Sequence, residues 1–363
     1  ADWARFQSFR RQIDEAGFSE DTACSSKDTA GVLKAVLLGD RERLGRGVWV
    51  VFNKSGTTHI LAISGLHVGI VYGAIFWLCR MLLIQRWRRR VIVLSVVVSY
   101  ALMIGLRPAT IRAVLMIVLF EVGGALRFAR DPVNAVAGAA LIILALAPQH
   151  LFEAGFQLTF VAVLGILMFA GDIARLLRGR PDEIERLVEP ELRSRPRRLA
   201  RRVRKVAAGA IGVCAAATIC VAPLQAYYFN IVTPVSVLAT ALLVPIISAL
   251  IWLGFLFLAV APFTWFLAAL AAKALGVVTA VFTGTVELAS ALPFGHAFVA
   301  APPVGWIALF YASLLVAAAR KWIGLSGVRA AVVPACVLCA YLGWRGLISP
   351  GPELAATFGN NGH

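Results

Sequence analysis

The sequence predicts an all-α polytopic membrane protein, with about ten transmembrane or re-entrant helices and short amphipathic interfacial helices at the N-terminus. Three observations predict it. Hydrophobic residues make up 60% of the 363-residue chain, against roughly 45–50% in soluble domains. The excess lies in long continuous runs rather than alternating ones, which in lipid means helices, because a helix satisfies its own backbone. Basic residues, which give a formal net charge of +16, gather between particular runs, as loop charges that set orientation do.

Residues 1–56 are polar or amphipathic. "AGVLKAVLLGDRERLGRGVWVVFNKSG" mixes apolar faces with Arg and Lys and reads as short helices lying against the bilayer. No signal peptide is visible, and the charged, abrupt beginning is expected of a piece of a longer chain. Residues 57–346 form the membrane domain. Apolar runs place helices near 57–84, 91–106, 109–126, 132–148, 155–171, 206–226, 236–260, 265–292, 304–319 and 328–346. The segment 91–106 is short for a span and is expected to tilt or re-enter. Asp131, just before "PVN", is a natural helix N-cap. Residues 347–363 read as a linker or truncated tail.

The basic loops "QRWRRR", "RFAR", 172–205 and "RK" at 320–321 fall on one side if the first span runs inward, leaving Arg107 on the other side after that span. This orientation puts both ends of the chain outside. Arg41, Arg43, Arg46 and Lys54, before the first span, run against it. The segment 172–205 is expected to be a basic cytoplasmic loop. Its second half holds Arg197, Arg198, Arg201, Arg202, Arg204 and Lys205. An amphipathic helix on anionic lipid, or a surface for a cytosolic partner or emerging nucleic acid, fits that half.

The stretch "HILAISGLHVGIVYG" departs most from a simple span. Gly65, Gly69 and Gly73 recur every four residues and form a stripe suited to close helix packing. His67 points away from that stripe, with Ser64 one turn before it. Ser64-Gly65 is the expected break between a re-entrant start and a helix. His59 lies about 12 Å from His67 along a straight helix. Ionisable groups at such depth point to a pathway or cavity. Arg112 lies deeper than Arg107, which can snorkel, and needs a partner. Glu121, near mid-span, is expected to pair with an arginine. Gln157 opens the following span.

There is no P-loop, HExxH or GxSxG pattern. No nucleotide-hydrolysing or other catalytic motif is therefore recognisable, and the chain implies no cofactor and no metal site. A secondary transporter of a small anion or amino acid suits the broken helix and the midplane polar groups. A hydrolase using Ser64 and His67 lacks a visible third group to orient the histidine.

"HILAISGLHVGI" resembles the HLLAISGLHVG signature of the ComEC-type competence proteins. "GLRPATIRAVLM", "RDPVNAVAGAALIILALAPQHLFEAGFQLTFVAVLGIL", "APLQAYYFNIVTPVSVLATALLVP" and "AGVLKAVLLGDR" resemble further segments of that family. The resemblance implies an inner-membrane channel that carries single-stranded DNA into the cytoplasm in natural transformation. It places His59, Ser64, His67, Arg107, Arg112 and Gln157 along the DNA path. It implies an outer-side DNA receptor, a cytosolic ATPase motor, DNA-binding proteins, anionic lipids and a homo-oligomer as partners. Nothing in these residues looks like the family's OB-fold domain or its metallo-β-lactamase-like domain.

Overall fold

The structure is a computed structural model that describes residues 31–33, 35–37, 52, 55–61, 64–126, 131–179, 195–261, 263–291, 297–299 and 301–319. Most of the 1–56 segment, the expected span at 328–346 and the 347–363 tail lie outside the described residues. The elements are α1 (Thr58–Leu61), α2 (Gly65–Met81), α3 (Arg86–Met103), α4 (Pro108–Ala125), α5 (Pro132–Leu146), a 3₁₀ turn (Pro148–Phe152), α6 (Ala154–Arg178), α7 (Arg195–Phe229), β1 (Ile231–Val232), α8 (Ser236–Val260), α9 (Trp265–Ala291), β2 (Ala297–Phe298) and α10 (Val304–Ala318).

Five of these helices, α4, α6, α7, α8 and α9, are long and apolar enough to cross a membrane; α2, α5 and α10 are shorter apolar helices. The chain is a multi-pass membrane protein, and its polarity is arranged accordingly. His67, Thr110, Arg112, Glu121 and Thr279 are buried, whereas Leu141, Leu146, Leu242 and Leu288 are exposed. Lipid tails are as apolar as leucine, so an outward Leu costs nothing there, while a polar group gains by facing other helices.

The boundaries follow local chemistry. The expected first span is divided: Ser64 is extended (φ −115, ψ 172) and caps α2. α3 ends in a turn with Gly105 at φ 88 and Leu106 at φ 45. Arg107 is then extended (ψ 148) before Pro108 at the start of α4, since a residue preceding proline avoids the helical region and proline suits a first turn. Asp131 caps α5 as expected, its Oδ1 accepting the Val133 amide proton at 2.9 Å.

The region 172–205 departs from a plain loop. α6 continues to Arg178 and α7 begins at Arg195, so the basic half is helical and continuous with the span that follows. Arg, Lys, Ala and Leu are good helix formers, and Pro196 sits in the first turn, where proline is tolerated. α3 likewise starts earlier than the apolar run, taking "RWRRR" into its first turns.

The chain divides into two compact units. The first holds residues 1–164 and 233–296. Its main core joins Val68 and Val71 of α2, Val93, Val97 and Tyr100 of α3, Leu243, Ile247 and Leu250 of α8 and Phe282 of α9. Residues 31–33 and 35–37 are helical, and Val32, Leu33, Ala35 and Val36 are buried in the same core. A smaller cluster joins Val136 and Ala139 of α5 to Phe156 and Phe160 of α6. One joint demands glycine. Gly56 has φ +69, and a Cβ there would collide with the Thr233 side chain, 2.7 Å from its Cβ.

The second unit holds residues 165–232 and 297–363. Here α6 and α7 pack through small residues. A Cβ on Gly165 would fall 2.5 Å from Cys220 Sγ, and one on Gly212 would fall 2.8 Å from the Ala170 carbonyl oxygen. β1 pairs antiparallel with β2, Ile231 opposite Phe298. The Tyr311 hydroxyl of α10 donates to the Cys220 carbonyl at 2.9 Å.

Candidate functional site

In the first unit the N-terminal turns of α4 touch α2 on one side and α6 on another. Gly65, in the first turn of α2, lies against α4, a Cβ there falling 3.2 Å from Ala113 Cβ. Arg112, one residue earlier on α4, reaches the second turn of α6, where its Nη2 donates to Thr159 Oγ1 at 3.1 Å. The Arg112 guanidinium, 7% exposed, thus joins α4 to the second turn of α6.

At α2, Ser64 and His67 act as a pair. The Ser64 amide donates to His67 Nδ1 at 3.3 Å, and Ser64 Oγ lies 3.3 Å from the same nitrogen. This is a capping box with histidine in the place usually held by Glu or Gln. Because Nδ1 accepts from the backbone, the ring proton of the neutral imidazole belongs on Nε2. That atom is buried without a hydrogen-bond partner among the described residues. His59 is held by Gly56, its Nδ1 3.1 Å from the carbonyl oxygen. His59 itself is exposed.

At α4, Arg107 occupies the N-cap position without a side-chain cap to the helix. Thr110 follows at the third helical position, fully buried, with no partner for its hydroxyl among the described residues. Arg112 shares its field with Glu153, whose carboxylate also lies 2.8 Å from His150 Nδ1. Gly155 leaves room for the guanidinium, a Cβ there falling 3.6 Å from Arg112 Nη2. Thr159 passes its own proton to the Gly155 carbonyl at 2.7 Å, so it accepts from Arg112. Gln157 donates to the Leu151 carbonyl at 2.9 Å and ties the 3₁₀ turn to α6.

The three glycines of the stripe differ in their surroundings. Gly65 packs closely, but Gly69 and Gly73 are exposed, with nothing within 4 Å of an added Cβ. Of the basic patch, Arg201, Arg202, Arg204 and Lys205 are exposed on α7. Arg197 and Arg198 lie in the same helix, in its first turn.

Two features are not foreshadowed by the sequence. Thr159 completes the polar contact between α4 and α6, but a threonine in an apolar run carries no signal by itself. At the other end of α2, the Tyr72 hydroxyl donates to Glu121 Oε1 at 2.6 Å. Arg90 Nε lies 3.4 Å from Glu121 Oε2, and its Nη2 donates to the Gly124 carbonyl at 2.6 Å. The arginine expected for Glu121 is thus Arg90.

This is a multi-pass helical membrane protein whose polar site is built at a discontinuous helix. The family model described as Competence protein matches residues 36–324, and the chain belongs to that family. It is 33% identical over 141 residues to ComE operon protein 3 of Bacillus subtilis (strain 168), a match covering 39% of this chain and 18% of the relative. It is 32% identical over 120 residues to Competence protein ComA of Neisseria gonorrhoeae, covering 31% and 17%. It is 40% identical over 50 residues to Recombination protein 2 of Haemophilus influenzae, covering 14% and 6%. These matches span less than a fifth of each relative's length. No solved structure matches this chain.

Proposed function

We propose that the chain is the membrane-embedded part of a channel that moves single-stranded DNA across the bacterial inner membrane during natural transformation. Membership of the Competence protein family supports this reading. The observation that carries it is the buried Arg112 guanidinium held against the second turn of α6. A polyanion crossing a bilayer needs positive potential along its way, from contacts weak and numerous enough to release it. Backbone dipoles supply such potential without the deep trap that a row of lysines would make.

In this reading the ends of α2, α4 and α6 face outside, where DNA arrives from a receptor. His59, Ser64, His67, Arg107, Arg112 and Gln157 line or shape the path. Arg201, Arg202, Arg204 and Lys205 of α7, with Arg197 and Arg198 in its first turn, face the cytoplasm. There they meet anionic lipid, the emerging strand, DNA-binding proteins or an ATPase motor. The working unit is a homo-oligomer or a larger chain that carries further domains.

The test is uptake of labelled DNA by cells that carry Arg112→Ala, Arg112→Lys or His67→Ala at the matching positions of a full-length relative. Loss of uptake at normal protein level supports the path. Normal uptake in all three removes these residues from it.

A further inference from the structure

We propose that the turn between α2 and α3 binds an anionic phospholipid, with Arg86, Arg88 and Arg89 at its phosphate and Leu82, Leu83 and Trp87 against its apolar part. Five arginines fall within positions 80–90, and no Asp or Glu stands between Glu42 and Glu121. Glu121 is already engaged by Arg90. Arg80, Arg86 and Arg88 are exposed, and Arg89 is partly buried. None of these four makes an ion pair among the described residues. Arg86 stands one helical turn from both Arg89 and Arg90, a spacing at which like charges repel. The cluster therefore carries charge without a counter-charge of its own, and an anion placed on it removes the repulsion. Aromatic rings position two of the guanidiniums. Arg89 Cζ lies 4.6 Å from the Phe76 ring centroid, and Arg88 Cζ lies 5.7 Å from that of Trp87. A guanidinium over a ring still offers N–H groups to a phosphate.

The apolar tip selects the kind of anion. Met81, Leu82, Leu83 and Trp87 are exposed, Leu83 by 91%. Leu83 has φ 53, a left-handed backbone that is strained for leucine and free for glycine. A leucine both strained and exposed gains nothing from the fold, but it gains from contact with lipid. Val91 and Ile92, next along α3, are exposed as well, so the arginines border lipid-facing surface. Tryptophan favours the level between headgroups and acyl chains. Trp87 Nε1 donates to Gln85 Oε1 at 3.1 Å, which satisfies its one polar group there. A nucleic-acid strand or an acidic soluble protein would cover the arginines and leave the leucines in water. A phospholipid covers both. Such a site needs only a membrane-spanning chain and is independent of DNA transport.

The experiment uses the whole chain purified in dodecylmaltoside. The parent is compared with the triple variant Arg86→Gln, Arg88→Gln, Arg89→Gln and with the double variant Leu82→Ser, Leu83→Ser. Arg90 is kept because it holds Glu121. A third variant, Arg201→Gln, Arg202→Gln, Arg204→Gln, removes as much charge from α7. Melting is followed against added dioleoylphosphatidylglycerol, dioleoylphosphatidylcholine or oligothymidylate. Phosphatidylglycerol is expected to raise the melting temperature of the parent more than phosphatidylcholine does. The amount needed for half of that gain is expected to rise about fivefold for each arginine removed from the turn, the effect of one basic residue near an anionic surface. It is expected to rise in the leucine variant too, and to rise less in the α7 variant than in the arginine triple. Should the triple variant not fold, the three single substitutions are expected to read about fivefold each.

Phosphatidylglycerol and phosphatidylcholine acting alike on the parent overturns the site. So does an arginine variant that responds as the parent does, or an equal shift in the α7 variant, which would mean that net charge alone counts. A gain from oligothymidylate that matches phosphatidylglycerol, lost in the arginine variant and kept in the leucine variant, overturns lipid as the occupant and assigns the turn to nucleic acid.

Discussion

Tyr72 donates its hydroxyl proton to the buried Glu121 carboxylate at 2.6 Å, joining α2 to α4 across 49 positions of chain. Arg90 approaches the same carboxylate from α3, so three helices meet on one acid. Removing the acid leaves a partly buried arginine without its counter-charge. Glu121→Ala is expected to destabilise the protein by roughly 2–4 kcal/mol, somewhat below the range for a fully buried pair because Arg90 is partly exposed. Tyr72→Phe is expected to cost about 1.5–3 kcal/mol, the range for a hydrogen bond to a charged group. Thermal melting in detergent checks both, and equal melting temperatures for parent and variants would contradict the network.

The packing of α6 on α7 makes a second prediction. Gly165 and Gly212 have no room for a side chain, so Gly165→Leu or Gly212→Leu is expected to cost at least about 1–3 kcal/mol through overpacking. Gly69→Ala meets nothing within 4 Å and is expected to be neutral or to gain up to about 1 kcal/mol from helix propensity. The comparison is made by melting or by yield of monodisperse protein. A damaging Gly69→Ala beside a harmless Gly165→Leu would reverse the assignment of the packing faces.

Gly56 combines a left-handed φ with contact against Thr233. Gly56→Ala therefore incurs both backbone strain and a clash, and is expected to lower stability by more than about 2 kcal/mol. Expression level and melting temperature report it. A well-folded Gly56→Ala at parental stability would mean that this turn has another conformation.

The Ser64–His67 cap is tested by exchange. His67→Gln keeps an acceptor able to reach the Ser64 amide, as in an ordinary capping box. His67→Leu removes it and is expected to cost about 1 kcal/mol. If both variants melt alike, the capping role of the histidine falls.

Much of the fold was legible in the sequence because lipid imposes long apolar runs, and because Asp131, Pro108 and the Ser64-Gly65 pair mark helix starts with local chemistry. The α7 start was not legible, since a hydropathy window stops at the first charges while the helix backbone does not. The site was half legible. Arg112 and His67 stand out as polar intruders in apolar runs, but Thr159 and Tyr72 do not. Their roles come from which helices are neighbours, and one sequence does not carry that information. The glycine stripe is of the same kind: spacing defines a face, while only the neighbour decides whether the face is used.

A channel for single-stranded DNA requires the break at Ser64 to open onto a wet path. Labelling of His59→Cys, in the chain with its native cysteines replaced, probes that path with a membrane-impermeant thiol reagent on reconstituted vesicles. Rapid labelling is expected, slowed by oligothymidylate and not by free nucleotide monophosphate. No labelling, or labelling at a rate that oligothymidylate leaves unchanged, would contradict the channel.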